Sequence, residues 1–588
     1  LADALRRAPQ IQRDALGRPT SLTFADGKVT LLTYDLTANA KGYLSQIVDR
    51  SGTTDYTRDA LGRVTLKRQT LVSGMTRDIG YSYLANGLLA SITYPDGGIL
   101  AYGYDATGRL ASLSWNGNPL VSAIAWNPMG QPTGWSWAFV AAPGLSASRS
   151  YDTAGRLTAS EFSSYIYNAA GRITSLTQQL YAPGDSDPSH STITSANTTW
   201  SVSYDAVGRI TGFDISGGGD TAAFTYDANG NRASSTRTLG GQSTSRSYTI
   251  DGASNRLTGF SQSIGGGSST NVAYGYNANG DLTGDGLRTF TYNPEGRLSS
   301  VTTGATDTSP STRYAYNALG QRVSKPEPQY PPAEGDESDP GFWASLVAFF
   351  QKLWAPPLSE AEKLGYGYWY DEEGTLLAEM GTGGASSGGN AKYIYLPTTS
   401  GPMPVAVLVN GTDFYAVHAD HLNTPRRLTD ASGQAVWQWA YSAFGEEKPT
   451  LAKYRFADLE ATPNPGTTSA PQITFNLRYP GQYFDSRVGC TTTTLEAIAQ
   501  RTAGTPKATP LASTAGGIGS ATWVEIRLAR STLKDWRRAW SNFRICRSTQ
   551  GWVSAQPVLE GTVACSATGV TGALGTTSTG GTHPIRLA

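Results

Sequence analysis

The chain has 588 residues, of which 67 are glycine, 31 are tyrosine and only 16% carry a charge, which indicates many turns and aromatic strands. Basic and acidic residues both number 46, so the formal net charge is zero, and this balance argues against nucleic acid or an acidic membrane as the partner of the body. With no apolar run of about 18 residues, the sequence shows neither a membrane helix nor a signal peptide, and its pattern starts abruptly, as expected of a fragment.

A short repeat dominates the first 380 residues. Its unit is Tyr, then Asp or Asn, two variable residues and Gly, as in "YDAVGRITGF" from Tyr204. Nine strong copies begin at Tyr104, Tyr151, Tyr167, Tyr204, Tyr226, Tyr276, Tyr292, Tyr316 and Tyr370, and weaker ones at Asp14, Asp59 and Asp251. We take as signature residues the pairs Tyr104 and Gly108, Tyr151 and Gly155, Tyr204 and Gly208, and Tyr292 and Gly296.

Each copy predicts a β-hairpin. The Asp or Asn side chain can hydrogen-bond its own backbone two residues on, and the Gly accepts the positive φ that closes a short turn. The Tyr and the aliphatic residue after the following Arg are expected to pack across the hairpin, with the hydroxyl, guanidinium and Asp groups on the wetter side. Irregular spacing predicts loops between some hairpins, such as "YAPGDSDPSHSTITSANTT" over 181–199. Because an isolated hairpin is marginal, the copies must pair into one continuous antiparallel sheet.

These repeats resemble the YD repeats of the Rhs/YD-repeat family over roughly residues 10–489. The resemblance implies an all-β fold, a continuous spiral of antiparallel β-hairpins that curls into part of a hollow shell. In that family the C-terminal end of the shell carries a conserved cap region, and a variable toxin is commonly held inside.

A second segment strengthens the resemblance. "FYAVHADHLNTPRRLTDASGQAVWQWAYSAFGE", from Phe414 to Glu446, is similar to the conserved Rhs segment of the family. Asn423 replaces the usual Gly, and Asn tolerates a left-handed backbone. The signature residues here are Asp420, His421, Pro425, Asp430 and Gly433.

His418, Asp420 and His421 raise the question of a metal site, because two imidazoles and a carboxylate lie within four residues. On a strand, however, His418 and Asp420 face one side and His421 the other. We therefore expect these residues to form hydrogen bonds within turns and to lock the cap. We expect neither a metal nor a cofactor.

The insert over 325–363 predicts the one clear helix of the body. Asp339 is a suitable N-cap with Pro340 after it, and Pro356 ends the pattern. The apolar residues at helical spacing are Phe342, Leu346, Phe349, Phe350, Leu353 and Trp354. Packing on the shell wall is favoured over a membrane-docking or partner-docking role.

Composition changes sharply at Cys490, the first cysteine, after which no tyrosine occurs. The family's self-cleavage motif would follow "GQYFDSRVG", but the resemblance stops at Gly489. A family-like Leu-His-Tyr-Asn-Tyr read one base late gives Cys-Thr-Thr-Thr-Thr, so our hypothesis is that 490–588 is translated out of frame and poorly ordered. The basic, aromatic stretch over 523–548 leaves a nucleic-acid-binding toxin as the alternative for this tail. No catalytic residue is assigned, and the chain is not expected to be an enzyme.

The sequence therefore predicts four parts: a hairpin array over 1–324, the helical insert over 325–363, the last repeat and cap over 364–489, and the atypical tail over 490–588. The resemblance implies a secreted or cell-surface bacterial shell of a polymorphic toxin or contact-dependent competition system. Its implied partners are an enclosed toxin polypeptide, which is the C-terminus of the intact parent, and a secretion-system component or an immunity protein. The alternative is a cell-surface adhesion protein whose partners are glycans.

Overall fold

The computed structural model describes residues 9–140, 145–183, 193–217, 219–303, 311–326, 365–381, 390–445, 449–450, 473, 475–485 and 490–493, with the dipeptides 547–548 and 551–552. The predicted helix of the insert and most of the tail lie outside the described residues. The chain divides into two compact units, Leu1–Gly519 and Ser520–Ala588. In the second unit, two short strands pair antiparallel, β40 (Arg547–Ser548) and β41 (Gly551–Trp552).

The first unit begins with a sheet of 23 strands, which we call the wall. Its strands are β1 (Gln10–Arg13), β2 (Pro19–Thr23), β3 (Val29–Tyr34), β4 (Leu44–Asp49), β5 (Gly52–Arg58), β6 (Val64–Leu71), β7 (Thr76–Tyr83), β8 (Leu89–Thr93), β9 (Ile99–Tyr104), β10 (Leu110–Trp115), β11 (Asn118–Trp126), β12 (Pro132–Trp137), β13 (Ser146–Tyr151), β14 (Leu157–Ser160), β15 (Ser163–Tyr167), β16 (Ile173–Pro183), β17 (Ile193–Tyr204), β18 (Ile210–Ile215), β19 (Thr221–Tyr226), β20 (Arg232–Leu239), β21 (Gln242–Ile250), β22 (Leu257–Ile264) and β23 (Thr270–Ala273).

Three smaller sheets follow in the same unit. The five-stranded sheet contains β24 (Gly275–Tyr276), β25 (Leu282–Gly284), β26 (Arg288–Tyr292), β27 (Leu298–Thr303) and β28 (Ser311–Arg313). The nine-stranded sheet, which we call the cap sheet, contains β29 (Ala315–Tyr316), β30 (Arg322–Pro326), β31 (Gly365–Tyr370), β32 (Leu376–Gly381), β33 (Ala391–Thr398), β34 (Gly401–Val409), β35 (Asp413–Ala419), β36 (Pro425–Thr429) and β37 (Ala435–Gln438). The last pair is β38 (Gln482–Asp485) and β39 (Cys490–Thr493).

Each strand of the wall pairs antiparallel with the strand before it and the strand after it, and the cap sheet is built in the same way. The prediction of an all-β fold made of successive antiparallel hairpins is confirmed. Among the described residues the single helix is a 3-10 turn at Ala38–Ala40. In the same part of the chain, no helix has the length and apolar character needed to span a membrane.

Two local predictions need correction. The stretch over 181–199 was expected to be a loop, but its flanks extend strands β16 and β17, which pair up to Pro183 opposite Ile193. Alternating Thr, Ile and Ser residues favour strand here, and a long hairpin satisfies the backbone groups that a loop would leave open. The break at residue 490 also falls within a hairpin, because Cys490 pairs with Asp485 on β38. Threonine has a high strand propensity, so the segment "CTTT" pairs as a strand whether or not it is translated out of frame.

The cap sheet is buried on both faces, unlike the wall, whose strands alternate buried and partly exposed residues. Every residue of β36 and β37 is buried. One face, with Ile394 and Val405, packs against wall residues such as Trp135. The other face, with Tyr393 and Val407, packs against the segment over 473–485. The cap sheet is therefore a middle layer, and each large side chain buried there contributes about 1.5–3 kcal/mol.

Hydrogen bonds from wall side chains to cap-sheet carbonyls join the two layers. Tyr94 Oη donates to the Tyr393 carbonyl over 2.8 Å, and Trp137 Nε1 donates to Val405 over 2.7 Å. Lys67 Nζ donates to the carbonyls of Tyr370 and Asp371 over 2.8 and 3.0 Å. Burial lowers the pKa of Lys67 to about 8 and raises that of Asp371 to about 6. These bonds set the position of the cap sheet on the wall.

Candidate functional site

The YD turn is a five-residue hairpin connection with a bulge. In the copy at Tyr204, the Asp205 N–H donates to the Arg209 carbonyl and the Gly208 N–H donates to the Asp205 carbonyl, over 2.9 and 3.0 Å. Asp205 Oδ1 also accepts the N–H groups of Val207 and Arg209. Gly208 has φ of 92°, which a residue with a Cβ rarely adopts. The register then places Tyr204 opposite Ile210, which is the pairing expected from the sequence.

The tyrosine hydroxyl does not face the wetter side, as was expected, but bonds to the preceding hairpin. Tyr204 Oη donates to the Ile173 carbonyl over 2.7 Å. Burial raises the pKa of Tyr204 to about 12, so the hydroxyl keeps its proton and remains a donor. We call this bond a tyrosine tie. It recurs from Tyr34 to Pro19, Tyr83 to Val64, Tyr104 to Leu89, Tyr151 to Pro132, Tyr167 to Leu157, Tyr226 to Ile210, Tyr276 to Leu257, Tyr292 to Leu282 and Tyr395 to Leu376.

In several copies, an arginine after the turn glycine supports the tie. Arg209 bonds Asp205 of its own turn over 2.6 Å, and its guanidinium lies 4.7 Å from the ring centre of Tyr226 in the next hairpin. Arg63 repeats this arrangement, with Asp59 and with the ring of Tyr83. The Arg63 side chain holds the pKa of Asp59 below its ordinary value. In the copies with a tie, the repeat therefore provides a bond to the neighbouring hairpin as well as a turn.

Replacing Tyr204 with Phe is expected to lower the free energy of unfolding by about 1 kcal/mol, because the Ile173 carbonyl loses its donor while the ring is kept. Urea unfolding followed by tryptophan fluorescence measures the change. Tyr415→Phe is the matched control, since its hydroxyl makes no hydrogen bond within the described residues, and a loss of the same size there would contradict the tie.

The structure places the predicted signature residues of the repeats at equivalent positions. Tyr104, Tyr151, Tyr204 and Tyr292 all make ties. The glycines all have positive φ: 80° for Gly108, 76° for Gly155, 92° for Gly208 and 76° for Gly296. The copies lie on separate hairpins, three in the wall and that of Tyr292 in the five-stranded sheet, so they form a repeated structural element and are not gathered into one pocket.

The cap signature residues form two further turns of the same type. Asp420 Oδ1 accepts the N–H groups of Leu422 and Thr424 over 2.8 and 3.0 Å, and Asn423, at φ of 62°, occupies the glycine position. Pro425 follows as a buried residue opposite Ala419. In the second turn, Asp430 accepts the N–H groups of Ser432 and Gln434, and Gly433 has φ of 81°.

The first cap turn holds a buried ion pair. Asp420 Oδ2 lies 2.9 Å from Arg426 Nε, and the two side chains are 0% and 1% exposed. The Arg426 guanidinium also lies 4.4 and 4.3 Å from the ring centres of Trp439 and Tyr441. Burial raises the pKa of Asp420, but Arg426 and the backbone donors outweigh it, so the pKa is lowered overall. The turn is therefore fixed to the strand that continues the cap.

The two histidines occupy separate environments. His418 Nδ1 lies 2.7 Å from Glu161 Oε1 on the wall, and Nε2 lies 3.0 Å from Thr429 Oγ1. The His421 ring lies 4.8 Å from the ring of Tyr165. Burial lowers the pKa of both imidazoles to about 4, so they are neutral at physiological pH. Across the described residues, no group of three or more His, Cys, Asp or Glu side chains is arranged to hold a metal ion.

The wall binds the backbone of the cap segment that follows β37. The Gln178 side chain donates to the Trp439 carbonyl and accepts the N–H of Tyr441, both over 3.1 Å. Tyr165 and Tyr441 join their hydroxyls over 2.6 Å. Further along, the Phe444 ring lies edge-on to Phe224, with 4.9 Å between centres.

Sequence reasoning missed a cluster of buried charges beside β38. Asp485, fully buried, lies 2.8 Å from Arg322 Nη1 and 3.3 Å from Lys325 Nζ, both in β30. Glu379 nearby accepts hydrogen bonds from the hydroxyls of Tyr393 and Tyr483. The segment "GQYFDSR" could have indicated this cluster. It has the pattern of a strand, and a charged residue such as Asp485 needs a partner if that strand is internal.

Hairpins joined by tyrosine ties, with a cap sheet buried on both faces, define a YD-repeat β protein. Three family models match the sequence: Teneurin YD-shell over residues 188–330, RHS Repeat over 83–118 and RHS protein over 415–447. These matches support an Rhs/YD-repeat protein, as the sequence resemblance predicted.

Solved structures share the fold at low sequence identity. The crystal structure of TcdB2-TccC3-Cdc42 matches at 13% identity over 89% of this chain and 28% of that chain, with a TM-score of 0.50. The Photorhabdus luminescens Tc holotoxin pore with a TccC3 mutation matches at 12% identity over 89% and 28%, also with a TM-score of 0.50. The chain thus spans about a quarter of the length of the structures that it matches. No curated protein matches the sequence.

Proposed function

We propose that this chain is part of a toxin-associated shell that encloses the polypeptide continuing beyond residue 489. The observation that carries the proposal is the position of β38. Asp485 has a fully buried side chain on the side of the cap sheet that faces away from the wall, where Arg322 and Lys325 bind it. β38 has Tyr483 and Asp485 on its buried face and partly exposed residues on the other. The continuing polypeptide therefore starts on the cap-sheet side and not from the outer surface of the wall.

The contacts within the wall and the cap support a structural role. The tyrosine ties close successive hairpins against one another, and the ion pairs in the cap are bonded to backbone or to aromatic rings. We propose no catalytic step for these residues. Secretion, competition between bacteria, an immunity protein and a secretion-system partner stay predictions from the family resemblance.

The alternative of glycan adhesion is less well supported. Sugar stacking requires accessible aromatic faces, yet Trp135, Trp137 and Trp200 on the wall are only 2%, 3% and 4% exposed. Their rings are occupied by core packing and by a bond to the cap sheet.

Protease protection tests the proposal. In the full chain with an epitope tag after residue 588, we expect the tag to resist trypsin much longer than it does on the isolated peptide over 494–588, because the wall excludes the protease. Equal rates of digestion would overturn enclosure. The control is the same tag fused before residue 9, which should be removed quickly from the full chain.

A further inference from the structure

An aromatic strip lies on β21 and β22, formed by Arg246, Tyr248, Phe260 and Gln262. The register shows which face it occupies: Phe224 lies opposite Ser235, and Ser235 lies opposite Arg246. Arg246 lies opposite Gln262, and Tyr248 opposite Phe260. Residues directly opposite in an antiparallel pair, and residues two apart on a strand, share a face. The strip is therefore on the face of the wall that receives Phe444 of the cap segment.

The strip is more accessible than the equivalent surface of the strands before it. Phe213 and Phe224 are 5% and 4% exposed. Tyr248 and Phe260 are only half-buried, and Arg246 is exposed. Neither Tyr248 nor Phe260 belongs to any of the four hydrophobic clusters formed by the described residues. Tyr248 keeps two polar partners, Ser235 and Arg232, and Phe260 is contacted by Tyr274 and Arg246. The remaining ring surface is partly exposed on the cap-facing side of the wall.

The neighbouring interface shows how this face binds the polypeptide of the cap segment. The Gln178 side chain hydrogen-bonds the backbone on either side of Ala440. The rings of Tyr441 and Phe444 pack edge-on against aromatic side chains of the wall. The Arg232 guanidinium lies 4.7 Å from the ring centre of Phe444 and 5.0 Å from that of Tyr248. The strip is therefore continuous with an interface that already holds the cap segment.

The strip contains the same kinds of side chain as that interface, namely aromatic rings beside polar planar groups. The rings of Tyr248 and Phe260 contact each other, with 6.2 Å between centres and a tilt of 54°, and Phe260 also meets the Tyr274 ring edge-on. A further aromatic ring would pack on the exposed part of this pair. Arg246 Nε bonds Gln262 Oε1 over 2.6 Å, so a planar amide and a guanidinium lie beside the rings as backbone-binding groups. Aromatic rings beside polar planar groups suit an extended peptide with aromatic side chains.

We propose that the aromatic strip docks an extended segment of the enclosed polypeptide, with aromatic side chains of that segment packed on Tyr248 and Phe260. This inference rests on the proposed function. The strip holds the enclosed chain by the same contacts that the wall makes with Tyr441 and Phe444, and so keeps it extended along β21 and β22.

Site-specific photo-crosslinking tests the strip in the full 588-residue chain. Phe260→benzoylphenylalanine is expected to crosslink to peptides from 494–588. The same probe at Ser261, whose side chain points to the opposite face of β22, is expected to give no such crosslink. Crosslinks from residue 260 to a second copy of the chain, or no crosslink to 494–588, would overturn docking.

A second measurement keeps the two proposals apart. The Tyr248→Ala/Phe260→Ala double variant should speed digestion of the C-terminal tag about threefold to tenfold, while Ser261→Ala should not, because only the first pair contacts the docked segment. Unfolding in urea checks that the double variant remains folded. If the tag is protected equally in the double variant and the parent, the strip proposal is wrong and enclosure stands. If the tag of the parent is never protected, enclosure itself is wrong.

Discussion

Arg426→Met is expected to lower the free energy of unfolding by about 3–5 kcal/mol, because it leaves the Asp420 carboxylate buried without its cation. The distance of 2.9 Å and the almost complete burial of both side chains make water a poor substitute. Met keeps an unbranched apolar side chain beside Trp439 and Tyr441, so the main change is the loss of the charge, together with its contact to the two rings. Urea unfolding with separate probes for wall and cap measures the loss.

The matched control for this prediction is Arg68→Met. Arg68 bonds Asp78 through two contacts of 2.8 Å, but the side chains are 49% and 42% exposed. Water replaces the lost partner there, so a change within about 1 kcal/mol is expected. Adding Asp420→Asn to Arg426→Met should recover part of the lost unfolding free energy, because it removes the buried carboxylate charge that has no cation. Equal effects at Arg426 and Arg68 would show that the buried pair does not stabilise the cap.

Acid unfolding gives an independent check on the same pair. The folded-state pKa of Asp420 is lowered, so its contribution to stability is present above the ordinary value of 3.8 and is lost as the pH falls through the folded pKa. Without Arg426 this contribution disappears, and the acid midpoint should rise.

Asp485→Ala is expected to cost a similar amount, about 3–5 kcal/mol, since it removes the carboxylate that Arg322 and Lys325 both bind in a buried layer. The loss of stability should appear first in the segments around Asp485. Hydrogen exchange measured by mass spectrometry should show lost protection over 473–485 and in β30, while the hairpins around Tyr104 keep theirs.

Asp78→Ala provides the control, because it removes the same type of side chain from the exposed pair with Arg68. It should change exchange only near β6 and β7. Uniform loss of protection throughout the chain in Asp485→Ala would mean that β38 folds together with the wall and is not a separately held layer.

The turns could be predicted because their chemistry is contained within a few consecutive residues. Asp205, Gly208 and Arg209 meet within one turn, and the expected pairing of Tyr204 with Ile210 follows from the turn length. The tie from Tyr204 to Ile173 could not be predicted in this way. Its acceptor is a backbone carbonyl 31 residues away, and every residue type carries such a carbonyl.

The cap illustrates the same difference. The sequence identified Asp420, Asp430 and Gly433 as turn residues, which the structure places in two turns. It did not identify Glu161 as the partner of His418, since these residues are 257 positions apart. The run "YIYLPTTSGPMPVAVLV" is apolar at nearly every position, which is typical of strands buried on both faces, and this signal was available for the double burial of the cap sheet.

The sequence by itself determined the repeated hairpin, the all-β class and the family, because a turn of five residues and an alternating strand are set by local backbone preferences. The tertiary structure decided which carbonyl each tyrosine binds, which charges are buried as pairs, and that β38 lies under the cap sheet. Those features depend on how successive hairpins stack and curl. The packing of one sheet on another brings together residues hundreds of positions apart, and no local pattern encodes that approach.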